Sequence, residues 1–326
     1  MAGRRANSGG PGDNRMTPPG ARISVVVPTR DRASVIHHAL HTILSSDHTD
    51  FELVVVDQSA DGQTDAALGP FMADPRLRYL RDVSVGKSAG LNAGIRAARG
   101  ALVAMTDDDC QVPPDWLRQI ETAFAVDRRI GIVFGNVLPA PQDRAEGRIP
   151  SYVRQQPFVA LGIRDKNQVE GLGACMAVRR SVWQSLGGFD EMLGVGARFH
   201  AGEEGDFALR ALLAGHWIHE TPAVWLTHYG LRKWDQMPAL IDSYWRGTGA
   251  MMAKPVKTRH WRMLPLLLHL AARWAVGTST VGSSLGPRPK RIARLQSFCR
   301  GFLAGLALPV DRRTGLFVAP APGAGR

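Results

Sequence analysis

The sequence predicts an α/β fold: a helix-flanked central sheet that begins parallel and turns mixed. Three observations predict it. Short β-branched apolar runs end abruptly in polar residues, helical stretches alternate with those runs, and the alternation loosens after residue 109. Alternating buried strands and helices build right-handed βαβ units, whose strands lie parallel. With 326 residues and 44% apolar content, the chain can bury one large core or two modest ones.

The first element is Ile23-Ser24-Val25-Val26-Val27, closed by Pro28 and too short for a helix. Ala33 to Ser46 has Val35, Leu40, Ile43 and Leu44 near helical spacing. Leu53 to Val56 is a second buried strand, closed by Asp57. A helix near 64–73, a short strand from Leu77 to Leu80, and, from Gly86 to Gly100, a glycine-rich loop leading into a small-residue helix follow. Ala101 to Met105 is the next strand, ending in Thr106-Asp107-Asp108-Asp109. Pro113 and Pro114 open a helix that runs to about Val126, as proline does at a first turn. Ile130 to Val137 and Gly173 to Val178 read as strands, with an aperiodic Pro-, Gln- and Arg-rich stretch, 139–168, between them. Ser181 to Leu186 and Glu203 to Ala214 read as helices, the second with Phe207, Ala208, Ala211 and Leu212 on one face. No internal repeat is visible.

Charge divides the chain unevenly. Residues 228–313 carry fifteen Lys and Arg against only Asp235, Asp242 and Asp311, an excess of +12, whereas 23–227 is mildly acidic at −5. A basic third suits anionic partners: phospholipid head groups, a polyprenyl-phosphate-linked acceptor or nucleic acid. The lack of a recognisable nucleic-acid module argues against the last. Within it, Met263 to Leu285 approaches the length of a membrane span, but His269, Arg273 and Pro265 interrupt it. Pro289 to Leu308 sets Lys290, Arg291, Arg294 and Arg300 among Ile292, Leu295, Phe298, Phe302 and Leu303. That mixture suits a helix at an anionic membrane surface, with 258–310 as the contact region. The alternative is a helical subdomain packed on the body. Cys110, Cys175 and Cys299 have neither metal-ligand nor disulfide spacing, which points to a reducing cytoplasm, peripheral to the membrane's inner face if the basic third binds it. Residues 1–21 read as a disordered tail without a signal-peptide core.

Polar residues follow three strand ends: Thr29 and Arg30, Asp57, and Asp107 to Asp109. Ligands of open α/β sheets bind at such carboxyl ends. Closely spaced carboxylates can share one hard divalent cation with a substrate's phosphates, although a solvated acidic turn has the same composition. The piece from Gly86 to Gly94 matches neither a P-loop nor a dinucleotide fingerprint, yet its glycines allow close backbone approach and Lys87 could meet a phosphate or nucleobase.

In order, these pieces resemble the inverting family 2 glycosyltransferases. The resemblance rests on Val25 to Arg30, Val54 to Ser59, Gly90-Leu91-Asn92-Ala93-Gly94, Thr106 to Asp109, Gly187 to Glu191, Gly202 to Phe207 and His228-Tyr229-Gly230. It covers residues 22–235 and implies a GT-A (Rossmann-like) nucleotide-diphospho-sugar transferase domain. A nucleotide-binding half at 22–135, an acceptor and metal half at 136–235, and a basic helical extension at 236–326 are expected.

The resemblance also implies roles. Pro28, Thr29 and Arg30 would line the base pocket and Asp57 would accept a hydrogen bond from the nucleobase. Lys87, Asn92, Asp107 and Asp108 would complete the contacts to the donor, a nucleotide-diphosphate sugar. Asp109 and His228 would hold Mg2+ or Mn2+. Many relatives have Glu-Asp where this chain has Glu203-Glu204, so Glu204 is the expected base, with Asp206 the second acid and Glu203 less favoured. Trp183, Phe189, Asp190, Arg198 and His200 are the candidate contacts to a saccharide acceptor. The rival readings are a nucleotidyltransferase, which usually has a glycine- and arginine-rich loop where Pro28 to Arg32 stands, and a non-catalytic saccharide-binding relative.

Overall fold

A computed structural model of the chain describes residues 23–141, 145–260, 263 and 291–319. The expected tail at 1–21, and the apolar stretch at 263–285 apart from Met263, lie outside the described residues.

β1 (Ile23–Thr29) divides the core by its alternation: Val26 joins one apolar layer, Val25 and Val27 the other. α1 (Ala33–Leu44), β2 (Phe51–Asp57), α2 (Gln63–Leu68), β3 (Leu77–Arg81), α3 (Lys87–Ala97) and β4 (Leu102–Met105) follow as expected. β3, β2, β1 and β4 lie side by side, all parallel. The chain steps from β1 outward to β2 and β3, then returns to place β4 on the other side. A crevice opens at the strands' carboxyl ends where the order reverses.

The second half turns mixed. It runs β5 (Cys110–Gln111), α4 (Trp116–Ala125), β6 (Ile130–Pro139), β7 (Gly147–Arg148), β8 (Phe158–Ala160), β9 (Met176–Arg179), α5 (Arg180–Ser185), α6 (Glu203–Leu213), β10 (Trp217–His228) and β11 (Arg232–Lys233). β9 runs antiparallel between β4 and β6, and β10 is parallel to β6 but antiparallel to β5 and β8. The stretch 139–168 is therefore not featureless. Its strands are only two and three residues long, and they borrow their partners from β10 and β11. Strands so short leave no period to read.

The small-residue helix expected in the glycine-rich piece is α3, and it begins at Lys87, directly after Gly86. A Cβ on Gly94 would stand 2.4 Å from Val26 Cγ1, so this glycine lets the helix lie close on the sheet instead of cradling a phosphate.

The basic third is built onto the body. α7 (Met237–Lys257), for which the sequence showed no clear period, packs against α8 (Arg291–Ala307). Gly249 and Gly301 permit the approach: a Cβ on either would meet a backbone carbonyl at 2.1 or 2.0 Å. Ala250, Met251, Met252, Leu308 and Phe317 enter the same apolar layer as Val26 and Phe207. No helix among the described residues is long and apolar enough to cross a membrane.

A buried ion network locks this union. Lys254 Nζ lies 2.6 Å from both Asp190 Oδ2 and Asp206 Oδ1. Arg210 Nε donates to Asp206 Oδ2 at 2.8 Å, and the Phe317 N–H donates to Asp190 at 2.8 Å. Removing one partner of a buried pair leaves an uncompensated charge. Lys254→Met is therefore expected to cost about 3–5 kcal/mol of unfolding free energy. A urea midpoint equal to wild type would refute this.

Candidate active site

The crevice is a cleft of about 300 Å³ above the ends of β1 and β4. Pro28, Thr29, Arg30, Lys87, Asp107, Asp108 and Asp109 border it, seven of the residues expected there. Arg32, Gln58, Gly86, Val195, Gly196 and Arg232 border it too, and the sequence did not mark these as site residues. Arg32 had a local signal, as a second arginine just after Arg30 at a strand end, and Gln58 and Gly86 stand within stretches the sequence singled out.

Each acid of the triplet has a cationic neighbour, and Asp108 and Asp109 share Arg32. Asp107 pairs with Lys87 at the start of α3. Burial opposes the lysine's charge, but Asp107, Glu203 and Glu204 around it outweigh that and raise its pKa above the ordinary value. Asp108 accepts from Thr29 Oγ1 at 2.6 Å and faces Arg32 Nε at 3.1 Å. Its burial dominates, pushing its pKa up to about 6 against the pull of Arg32. Asp109 bonds Arg32 Nη2 and stands 3.3 Å from His228 Nε2. Burial works against its charge, yet His228 and Arg32 hold its carboxyl well below the usual range.

The pair Asp109 and His228 has the form of a cation seat. β5 and β10 bring the residues together, because Cys110 and His228 are register partners. His228 Nδ1 lies 2.9 Å from the Pro150 carbonyl and so donates to it, which turns Nε2 toward Asp109. Asp109 Oδ1 is buried with no hydrogen-bond partner. A Cβ on Gly230 would fall 2.6 Å from His228 Nε2 and 2.7 Å from Asp109 Oδ2, so glycine keeps that space clear. Burial disfavours the imidazolium, but Asp109 raises the His228 pKa above its ordinary value. A nitrogen and a carboxylate so disposed hold a proton or a metal ion between them, and this donor set fits a divalent cation. Cys110 Sγ is also within 4.8 Å of the group. Burial, followed by Asp107 and Asp109, pushes its thiol pKa well up.

Glu203 and Glu204 open α6. Glu204 is half-buried and lies beside Lys87: a Cβ on Gly173 would be 3.9 Å from both Glu204 Cδ and Lys87 Nζ. Glu203 is 7% exposed, and burial, reinforced by Glu204, raises its pKa well above the carboxylate range. Of the two, Glu204 is the more exposed carboxylate.

Several expected site residues are placed elsewhere. Asp206 is 1% exposed with both oxygens engaged by Lys254 and Arg210, so it serves the ion network rather than a proton transfer. Asn92 is saturated: it donates to the Phe189 carbonyl and Glu191 and accepts from Trp183 Nε1 and the Phe189 N–H, leaving nothing for a donor. Trp183 and Phe189 are buried, the latter stacked on Phe207 at 4.7 Å, and Asp190 belongs to the Lys254 network. These three lie in the core and the ion network, away from the cleft wall. Asp57 does not border the cleft; the Ser59 N–H and the Tyr79 hydroxyl engage its two oxygens at 2.9 and 2.7 Å. Arg198 and His200 are exposed and outside the cleft wall.

Comparison with known proteins agrees with this geometry. The family model for "Glycosyl transferase family 2" matches residues 24–187. The succinoglycan biosynthesis protein ExoO of Rhizobium meliloti is 36% identical over 34% of this chain and 32% of its own length. A glucosyl-dolichyl phosphate glucuronosyltransferase of Haloferax volcanii is 24% identical over 53% of this chain and 57% of its own. The chain spans less than two thirds of the length of these curated relatives. Among solved structures, the mannosyltransferase PcManGT from Pyrobaculum calidifontis, in complex with GDP-Man and Mn2+, superposes with a TM-score of 0.57 at 22% identity, covering 88% of this chain and 86% of that one. That likeness shows the fold, the GT-A arrangement of a mixed sheet between helices. With half of its length matched by the family model and its strand-end acids gathered at one cleft, the chain belongs to glycosyl transferase family 2.

Proposed function

We propose that the chain is an inverting, metal-dependent transferase that moves a sugar from a nucleotide-diphosphate donor to an acceptor hydroxyl in one displacement. One observation carries this reading: Lys87 pairs with Asp107 of the donor cleft and feels the charge of Glu204, which lies with it around Gly173, so a cation seat and a carboxylate stand on either side of that lysine. The donor and Mn2+ in the PcManGT complex support it.

Asp109 and His228 would hold the cation, with Mn2+ favoured over Mg2+ because one ligand is an imidazole nitrogen. When bound, the cation neutralises charge gathering on the departing nucleoside diphosphate. Lys87 and the rim arginines Arg30 and Arg232 add fixed positive charge toward the same phosphates. Glu204 takes the proton from the acceptor hydroxyl as its oxygen attacks the anomeric carbon. The bond from that carbon to the diphosphate breaks, the nucleoside diphosphate leaves with the electron pair, and the configuration inverts. No covalent link to the enzyme forms. Arg198 and His200 remain the proposed acceptor contacts.

The acceptor is proposed to be a saccharide or a polyprenyl-phosphate-linked precursor, with 258–310 resting on an anionic membrane surface. The printed name of the Haloferax relative, which includes a dolichyl phosphate, supports a lipid-linked class. α8 supports the surface contact: Ile292, Leu295 and Leu303 are 70%, 50% and 65% exposed, with Arg300 exposed among them. The full chain is expected to float with phosphatidylglycerol vesicles and to sediment with phosphatidylcholine ones. Serine at Ile292, Leu295 and Leu303 together should weaken flotation; equal flotation of variant and wild type would contradict the surface contact.

A further inference from the structure

Arg32 enters none of the steps above, yet it makes the most direct contact with the cation seat. Its Nη2 bonds Asp109 Oδ2 at 2.5 Å, and its Nε lies 3.1 Å from Asp108 Oδ1. The geometry points to Arg32 as the internal counter-ion of the seat, a guanidinium that must release Asp109 before a divalent cation binds and that the donor's diphosphate draws away. Cation and donor would then bind cooperatively. The inference rests on the proposal that Asp109 and His228 hold the metal.

Three features support a displaceable occupant over a fixed brace. The first is competition for one oxygen. Asp109 Oδ2 is the atom Arg32 holds, and it also borders the space that Gly230 keeps clear beside His228 Nε2. A guanidinium and a metal ion are both cations, and neither tolerates the other at that distance. The second is access. The Asp108 and Asp109 side chains are 6% and 5% exposed, whereas that of Arg32 is 37% exposed, so the arginine reaches inward from solvent. It precedes the first residue of α1, and its side chain can swing outward without moving the helix. The third is a destination. Arg32 borders the cleft together with Arg30 and Arg232, and a planar guanidinium pairs bidentately with phosphate oxygens at least as well as with carboxylates.

If the donor removes the competitor, it raises the cation's affinity, and by linkage the cation raises the donor's by the same factor. Couplings of this kind are typically about 5–150-fold. A brace and a competitor predict opposite signs. Removing a brace disorganises Asp109 and weakens metal binding; removing a competitor strengthens it.

The test measures free Mn2+ by electron paramagnetic resonance during titration of the full-length protein, without nucleotide and with UDP or GDP. Arg32→Gln is expected to bind Mn2+ alone at least ten-fold more tightly than wild type. Its further gain from nucleotide should be smaller than that of wild type. Arg32→Lys keeps the charge but loses the planar two-pronged fork, and should fall between the two. If Arg32→Gln binds Mn2+ no better than wild type while Asp109→Asn abolishes binding, the metal reading stands and the counter-ion role is overturned. If wild type binds no Mn2+ with either nucleotide, both fail.

Discussion

Glu204→Gln is expected to lower the transfer rate by about 10²–10⁴-fold, the range that a positioned general base contributes. Donor affinity should persist, because Glu204 does not line the donor cleft. The amide is nearly isosteric, so the helix start survives; what disappears is the ability to accept a proton, together with one negative charge near Lys87. The neighbouring variant sharpens the test. Glu203 is buried and does not border the cleft, so Glu203→Gln should retain most activity. Steady-state rates with a fixed acceptor would separate the two. If Glu203→Gln is the inactive one and Glu204→Gln turns over normally, the base assignment moves one residue along α6.

Asp109→Ala is expected to remove the Mn2+ dependence of donor binding. Altering a metal's supporting residues typically costs 10–100-fold in affinity, and a direct ligand should cost on the order of 100-fold or more. The substitution also strips both Arg32 and His228 of their shared carboxylate. Calorimetric titration of a nucleotide sugar with Mn2+ and with chelator reads the effect. Wild type should lose affinity in chelator, and the variant should show the weak value in both. A variant whose Mn2+-dependent affinity matches wild type would remove Asp109 from the seat.

How much of this was legible in the sequence depended on distance along the chain. β1, β2 and β4 were readable because buried parallel strands are continuous β-branched runs, and the residues just after them reached the cleft as that fold requires: Thr29, Arg30 and Asp107 to Asp109. The residues that long-range folding brings in were not readable. Val195, Gly196 and Arg232 join the cleft from the second half, and nothing local distinguishes them. Polarity misled at Asn92, Asp190 and Asp206. Each stands in a family-like motif, but whether a polar group faces a ligand or a buried partner is decided by residues far away, here Trp183, Lys254 and Phe317. α7 escaped notice because Gly247, Gly249 and Pro255 dilute its apolar period, although those glycines sit where its close packing requires them.

The cleft, the cation seat and the carboxylate together make one claim: this chain binds a nucleotide sugar through a metal and presents its anomeric carbon to Glu204. The most direct measurement is thermal unfolding across a panel of nucleotide sugars, in Mn2+ and in chelator. At least one donor should raise the melting temperature in Mn2+ and lose most of that effect in chelator. A panel in which none stabilises the protein in Mn2+, or in which stabilisation is equal in chelator, would contradict it.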